Sequence, residues 1–194
     1  GQARESAATG GSMLRGFGLG LLFVYLLLAF QFRSFLEPLA VMTAIPLALI
    51  GVVAGHLLLG LELSMPSIMG FVSLSGIVVN DSILLVEFLK LRVREGLDVP
   101  AAAMRASRER FRAVLLTSVT TIAGLLPLLA ERSLQAQVLI PLATSIVFGL
   151  LASTLLILFV VPALFAVFAD LGLTSQQKIL AERDDLGVGS ASAG

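Results

Sequence analysis

Apolar residues dominate this chain in five long runs, at residues 14–32, 36–59, 65–89, 113–130 and 138–168, separated by short polar connections. Each run approaches or exceeds the roughly 20 residues that an α-helix needs to cross about 30 Å of hydrocarbon. Each predicts a membrane-spanning helix, because lipid offers an open backbone no hydrogen-bond partners. The last run is longer than a bilayer requires and must tilt, kink or protrude, with Pro162 a natural place for a kink or an end. Between the third and fourth runs the pattern changes. Over residues 98–112, Ala101, Ala102, Met104 and Ala106 are interleaved with Arg105, Arg108, Arg110 and Arg112. That spacing predicts an amphipathic basic helix lying along the membrane surface. The expected architecture is therefore an all-α membrane protein, a bundle of five transmembrane helices with one surface helix between spans three and four. Residues 1–12 are polar and small, and residues 171–194 have the composition of a disordered tail.

Composition supports the membrane reading. Hydrophobic residues make up 57% of the chain and charged residues 13%, against about 25% charged in soluble domains. The mean hydropathy is +1.00. With no cysteine there are no disulfides and no thiolate metal sites. No P-loop, H-E-x-x-H or G-x-S-x-G string occurs, so neither ATP hydrolysis nor other enzymatic chemistry is expected. Neither a cofactor nor a nucleic-acid partner is implied; the expected surroundings are the lipid bilayer.

Charge placement gives an orientation. Of the 13 Lys and Arg residues, seven lie between Lys90 and Arg112, which places that connection in the cytoplasm by the positive-inside rule. By alternation Arg33, Lys178 and Arg183 also fall inside, while Arg4, Arg15 and Arg132 fall outside. The N-terminus is then external and the C-terminus cytoplasmic. An external N-terminus, five spans and a start at Gly1 read together as a piece of something longer.

The polar residues within the spans are the candidate chemistry. Asp81 sits deep in the third span, where an ionised carboxylate costs about 2.5 to 3.5 kcal/mol on insertion scales. Such a group is paired, hydrated or protonated, which makes it a proton-site candidate. Ser73, Asn80 and Glu87 recur at intervals of seven, with Gly76 beside them, and form one stripe about 100° from Asp81. The stripe serves either as a proton or ion path or as interhelical hydrogen bonding. Thr117, Ser118, Thr120 and Thr121 in the fourth span can relay protons or satisfy their own i−4 carbonyls. Small residues at spacing four, Gly51 and Gly55 in the second span and Ser145, Gly149 and Ser153 in the fifth, mark close helix packing, as does Gly76 in the third. His56 reads as an interfacial bystander near the outer end of the second span.

Two strings carry a family resemblance. G-I-V-V-N-D-S-I-L-L-V-E-F at residues 76–88, followed after the basic connection by R-F-R-A-V-L-L-T-S-V-T-T-I-A-G-L-L-P-L at residues 110–128, resembles the resistance-nodulation-division (RND) transporters, specifically the C-terminal membrane half of their hydrophobe and amphiphile efflux branch. The segments at residues 15–35, 44–51 and 160–165 fit the same family, so the resemblance covers about residues 13–170.

The resemblance implies a parent of twelve spans in two pseudo-symmetric halves, each with a large periplasmic insertion after its first span. The five spans here correspond to spans eight to twelve, and residues 1–12 to the outer end of the periplasmic porter segment. It further implies a bacterial inner-membrane homotrimer that works with a periplasmic adaptor and an outer-membrane channel, and that exports hydrophobic or amphiphilic compounds, as multidrug resistance pumps do, by proton antiport. In that family two Asp of the other half face a Lys on span ten and an Arg and a Thr around span eleven. Here the Lys position is Asn80, the Arg matches Arg110 and the Thr matches Thr117. Without a Lys ammonium the coupling details change, and Asp81 supplies an additional carboxylate that shares protons or hydrogen bonds with the absent pair. Asp81, Asn80, Thr117 and Arg110 are thus the expected coupling residues, with Ser73, Glu87 and Ser118 as a secondary polar path. Metal or lipid cargo, or a non-transporting scaffold or protein-export auxiliary, are the rival readings.

Overall fold

In the computed structural model residues 1–171 are described, and they form a bundle of α-helices. The helices are α1 (Gln2–Phe32), α2 (Glu37–Met42), α3 (Ala44–Leu59), α4 (Met65–Arg94), α5 (Val99–Ala130) and α6 (Leu134–Asp170). Five segments are long and apolar enough to cross a membrane, with α2 and α3 together making one of them. The tail expected over residues 171–194 falls beyond the described residues except for Leu171.

Helix ends follow from local chemistry. Ser64 and Ser67 form a reciprocal capping box at the start of α4, with Pro66 in the first turn where no N–H is needed. At the start of α6 the Ser133 hydroxyl accepts from the Ala136 amide at 3.3 Å. Gly60, at φ +65°, closes α3 in a left-handed conformation that costs glycine little. The break between α2 and α3 at Thr43 has its cause in Pro46, whose missing N–H leaves the Met42 carbonyl without its helical donor.

Three boundaries differ from the sequence expectation. Helix α1 begins at Gln2, twelve residues before the first apolar run at residue 14; Ala, Arg, Glu and Gln in that stretch favour the helix. At 31 residues, α1 is about 46 Å long against about 30 Å of hydrocarbon, so its polar first turns stand outside the membrane. The basic segment at residues 98–112 is helical and amphipathic, but no break separates it from the fourth span. The two are one helix of 32 residues, and Ala102, Ala103 and Ala106 are buried in the protein core instead of facing lipid. Similarly, α6 runs through both Pro141 and Pro162 without ending.

The core lies where α6 packs along α3, α4 and α5. At Gly51 and Gly149 the α3 and α6 backbones come so close that a Cβ would collide. On Gly51 it would meet the Phe148 carbonyl and Ala152, and on Gly149 the Leu74 side chain and Val52. Glycine at these positions is what permits the contact. Gly55 likewise faces the Phe148 ring, the Ser145 hydroxyl donates to the Ser67 carbonyl of α4 at 2.9 Å, and Ser153 bonds within α6 to Leu150 at 3.1 Å. Gly76, expected to pack, has no described atom near the place a Cβ would occupy. In contrast to the rest, α1 buries only Leu28 and Phe32.

Candidate functional site

The candidate site is built on α4 and on the facing part of α5. Asp81 is buried, with 7% of its surface exposed, between the core positions Val78 and Leu85 on the same side of α4. No hydrogen bond to its carboxylate is formed by the described residues. The charge that acts on it comes from Arg110 of α5. Arg110 lies over the Phe88 ring at 5.4 Å, and its buried Nε has no hydrogen-bond partner among the described residues. An acid on one helix and a guanidinium on the next thus share a sparsely solvated space, where opposite charges attract more strongly than in water.

The other expected residues are placed differently. Asn80 is exposed and lines a groove of about 300 Å³ between α1 and α4, together with Gln31, Ser75 and Gly76. Ser73 is exposed on the same stripe and donates to the Met69 carbonyl at 3.0 Å. Glu87 is half-buried and accepts from Gln31 of α1 at 3.4 Å, tying the two helices together. Thr117 is exposed and donates to its own Ala113 carbonyl at 2.9 Å, with Thr120 and Thr121 bonded in the same way. Ser118, about 100° further round α5, is buried at 2.5 Å from the Thr154 hydroxyl of α6. Of the four expected coupling residues, Asp81 lies within electrostatic reach of Arg110 without a hydrogen bond or ion pair between them, and Asn80 and Thr117 lie on exposed surface. An exposed polar stripe on a span is costly against lipid.

Two polar sites were missed by sequence reasoning. Glu37, fully buried at the start of α2, pairs with Lys90 near the end of α4 at 2.5 Å, and the Lys90 ammonium also lies 4.4 Å from the Phe32 ring centre. The available signal was topological, since the alternation of spans puts both residues at the same membrane face. His56 is buried, not an interfacial bystander. Its Nε2 lies 2.7 Å from the Ser67 hydroxyl and its Nδ1 2.9 Å from the Val52 carbonyl, joining α3 to α4.

The profile of the AcrB/AcrD/AcrF family matches residues 1–169. The chain belongs to that family. It is therefore a segment of an RND transporter. It is 32% identical over 171 residues to the toluene efflux pump membrane transporter TtgB of Pseudomonas putida, covering 88% of this chain and 16% of that protein. The multidrug/solvent efflux pump membrane transporter MepB of Pseudomonas putida gives the same identity and coverage. Among solved structures, a heavy metal efflux pump superposes with a TM-score of 0.78 at 29% identity, over 88% of this chain and 17% of that one. The chain thus spans about a sixth of the length of these relatives.

Proposed function

We propose that this chain is the C-terminal membrane half of a proton-driven RND exporter of hydrophobic or amphiphilic compounds. It sits in a bacterial inner membrane with its Lys90–Arg112 end cytoplasmic. The observation that carries the reading is Asp81, buried in the middle of α4, under the charge of Arg110 and beside the uncovered Asn80 stripe. The other half of the transporter is the partner that covers the stripe, bringing its own carboxylates against Asn80 and the unpartnered Nε of Arg110. The complete pump works as a homotrimer, with a periplasmic adaptor and an outer-membrane channel.

Ionised Asp81 holds α5 to α4 through the attraction of Arg110, and protonation removes that attraction. A proton therefore selects between two packings of the same helices, and α1 passes the change to the parts outside the membrane. The cargo class is supported by relatives named for toluene, multidrug or solvent, and antibiotic efflux. A metal cargo is favoured by the heavy metal pump structure. Against it, the described residues contain no group of three or more His, Cys, Asp or Glu able to hold a metal ion.

The test is Asp81→Asn in the full-length transporter, with dye export read as uptake into inside-out membrane vesicles whose lumen is acidic, so that protons leave as dye enters. Export that falls to background with normal membrane levels supports the assignment. Unchanged export with an unchanged pH profile removes Asp81 from the mechanism.

A further inference from the structure

A second concave surface lies between α5 and α6, and Asp81 is not among its lining residues. It is a groove of about 490 Å³ between the first half of α5 and the last half of α6, lined by Met104, Arg108, Phe111, Leu155, Phe159 and Pro162 among others. Its polar floor is already satisfied, because the Ser107 hydroxyl donates to the Leu158 carbonyl at 2.9 Å. What remains is an apolar trough with one cation at its rim. Arg108 is exposed and makes no ion pair among the described residues, whereas neighbouring Arg105 is paired with Glu109 at 3.1 Å.

The groove is not the seat of the missing half. Arg108 and Thr117 are nine residues apart on one helix, which puts them on opposite sides of α5, so the trough is turned away from the uncovered polar face. Its level in the membrane is set by its own residues. Leu155 and Phe159 belong to the apolar run of α6, Phe111 stands where the fourth apolar run begins, and Arg108 lies about one turn further out, in the basic cluster of Arg105, Arg108, Arg110 and Arg112 where α5 leaves the hydrocarbon. Apolar side chains at acyl depth below an unpaired guanidinium at headgroup depth match one molecule of the surroundings, an anionic phospholipid. The guanidinium fork suits a phosphate, and basic residues at that depth attract anionic headgroups.

We propose that this groove is a binding site for an anionic phospholipid of the surrounding bilayer, with an acyl chain between α5 and α6 and its phosphate on Arg108. The proposal rests on the membrane location of the chain and is independent of the proton-coupling reading.

The experiment uses the full-length transporter with Met104 replaced by the photoreactive residue benzoylphenylalanine. The protein is reconstituted in vesicles of phosphatidylethanolamine with phosphatidylglycerol as the minor component and matched acyl chains. After illumination the adduct masses are read. The expected result is capture of phosphatidylglycerol about fivefold above its share of the bilayer. Arg108→Gln should return capture to that share, and Arg105→Gln, a charge control outside the groove, should leave the enrichment intact. Capture in proportion to bilayer composition would overturn the proposal, since it describes ordinary surrounding lipid. So would adducts to peptide, which would mean that another part of the transporter or a second copy occupies the groove. Enrichment that survives Arg108→Gln, or the absence of any lipid adduct, is equally fatal to it.

Discussion

Asp81 and Glu37 are both buried carboxylates, and the contrast between them separates chemistry from structure. Glu37 has a committed partner, the Lys90 ammonium at 2.5 Å. Removing one member of such a pair leaves a buried charge uncompensated, which typically costs about 3 to 5 kcal/mol. Lys90→Met should therefore lower the thermal midpoint of the purified transporter strongly, and the double variant Glu37→Gln with Lys90→Met should recover much of the loss. A double variant no better than the single one would mean that the pair does not act as a unit. Asp81 has no hydrogen-bonded partner within the described residues, only the more distant charge of Arg110. Asp81→Asn should accordingly leave the thermal midpoint nearly unchanged while abolishing proton-dependent export. Arg110→Gln should mimic it in part, because the charge that stabilises ionised Asp81 is gone. The readout is export against external pH, which the Arg110 variant should shift and a purely structural residue would not.

Among the helices, small residues decide which faces meet. Gly149→Leu would force a branched side chain into Leu74 and Val52, and overpacking of this kind typically costs about 1 to 3 kcal/mol. The expected outcome is a lowered thermal midpoint with some export retained. Gly76 makes the complementary case. A Cβ there meets no described atom within 4 Å, so export lost in Gly76→Ala with normal membrane levels would mark this face as the seat of the other half. Sequence periodicity recovered the helices because apolar runs of this length permit little else in lipid. It missed the joining of residues 98–112 to the fourth span, since an Arg-rich stretch with an alanine face has the same pattern whether that face meets lipid or protein. It also missed the pairings of Glu37 with Lys90 and His56 with Ser67. Those depend on which helices are neighbours, and no local period records that. The Ser73, Asn80 and Glu87 stripe was legible from its spacing of seven, but whether it pointed inward or outward was not.

For the whole molecule, the concentration of Lys and Arg at one end of the bundle sets the orientation proposed above. Single cysteines make it measurable, because the chain has none of its own. In a background free of other reactive cysteines, Glu62→Cys, beyond the end of α3, should react with a membrane-impermeant maleimide added to cells with a permeabilised outer membrane. Arg94→Cys at the other end of α4 should react only after the inner membrane is opened. The reverse pattern would invert the topology and place the basic residues outside.

The sparse burial of α1 has a mechanical consequence. Both of its buried residues, Leu28 and Phe32, lie near its end, where Gln31 also reaches Glu87 and Phe32 lies against Lys90. Along the rest of its length α1 touches its neighbours only lightly, as where Phe17 meets Phe71 edge-on at 5.8 Å. A rod about 46 Å long that is gripped at one end is a lever. Shifts too small to disturb the core at the Lys90 end become displacements several times larger at the Gln2 end, so the helix with the fewest contacts is the one with the greatest mechanical advantage.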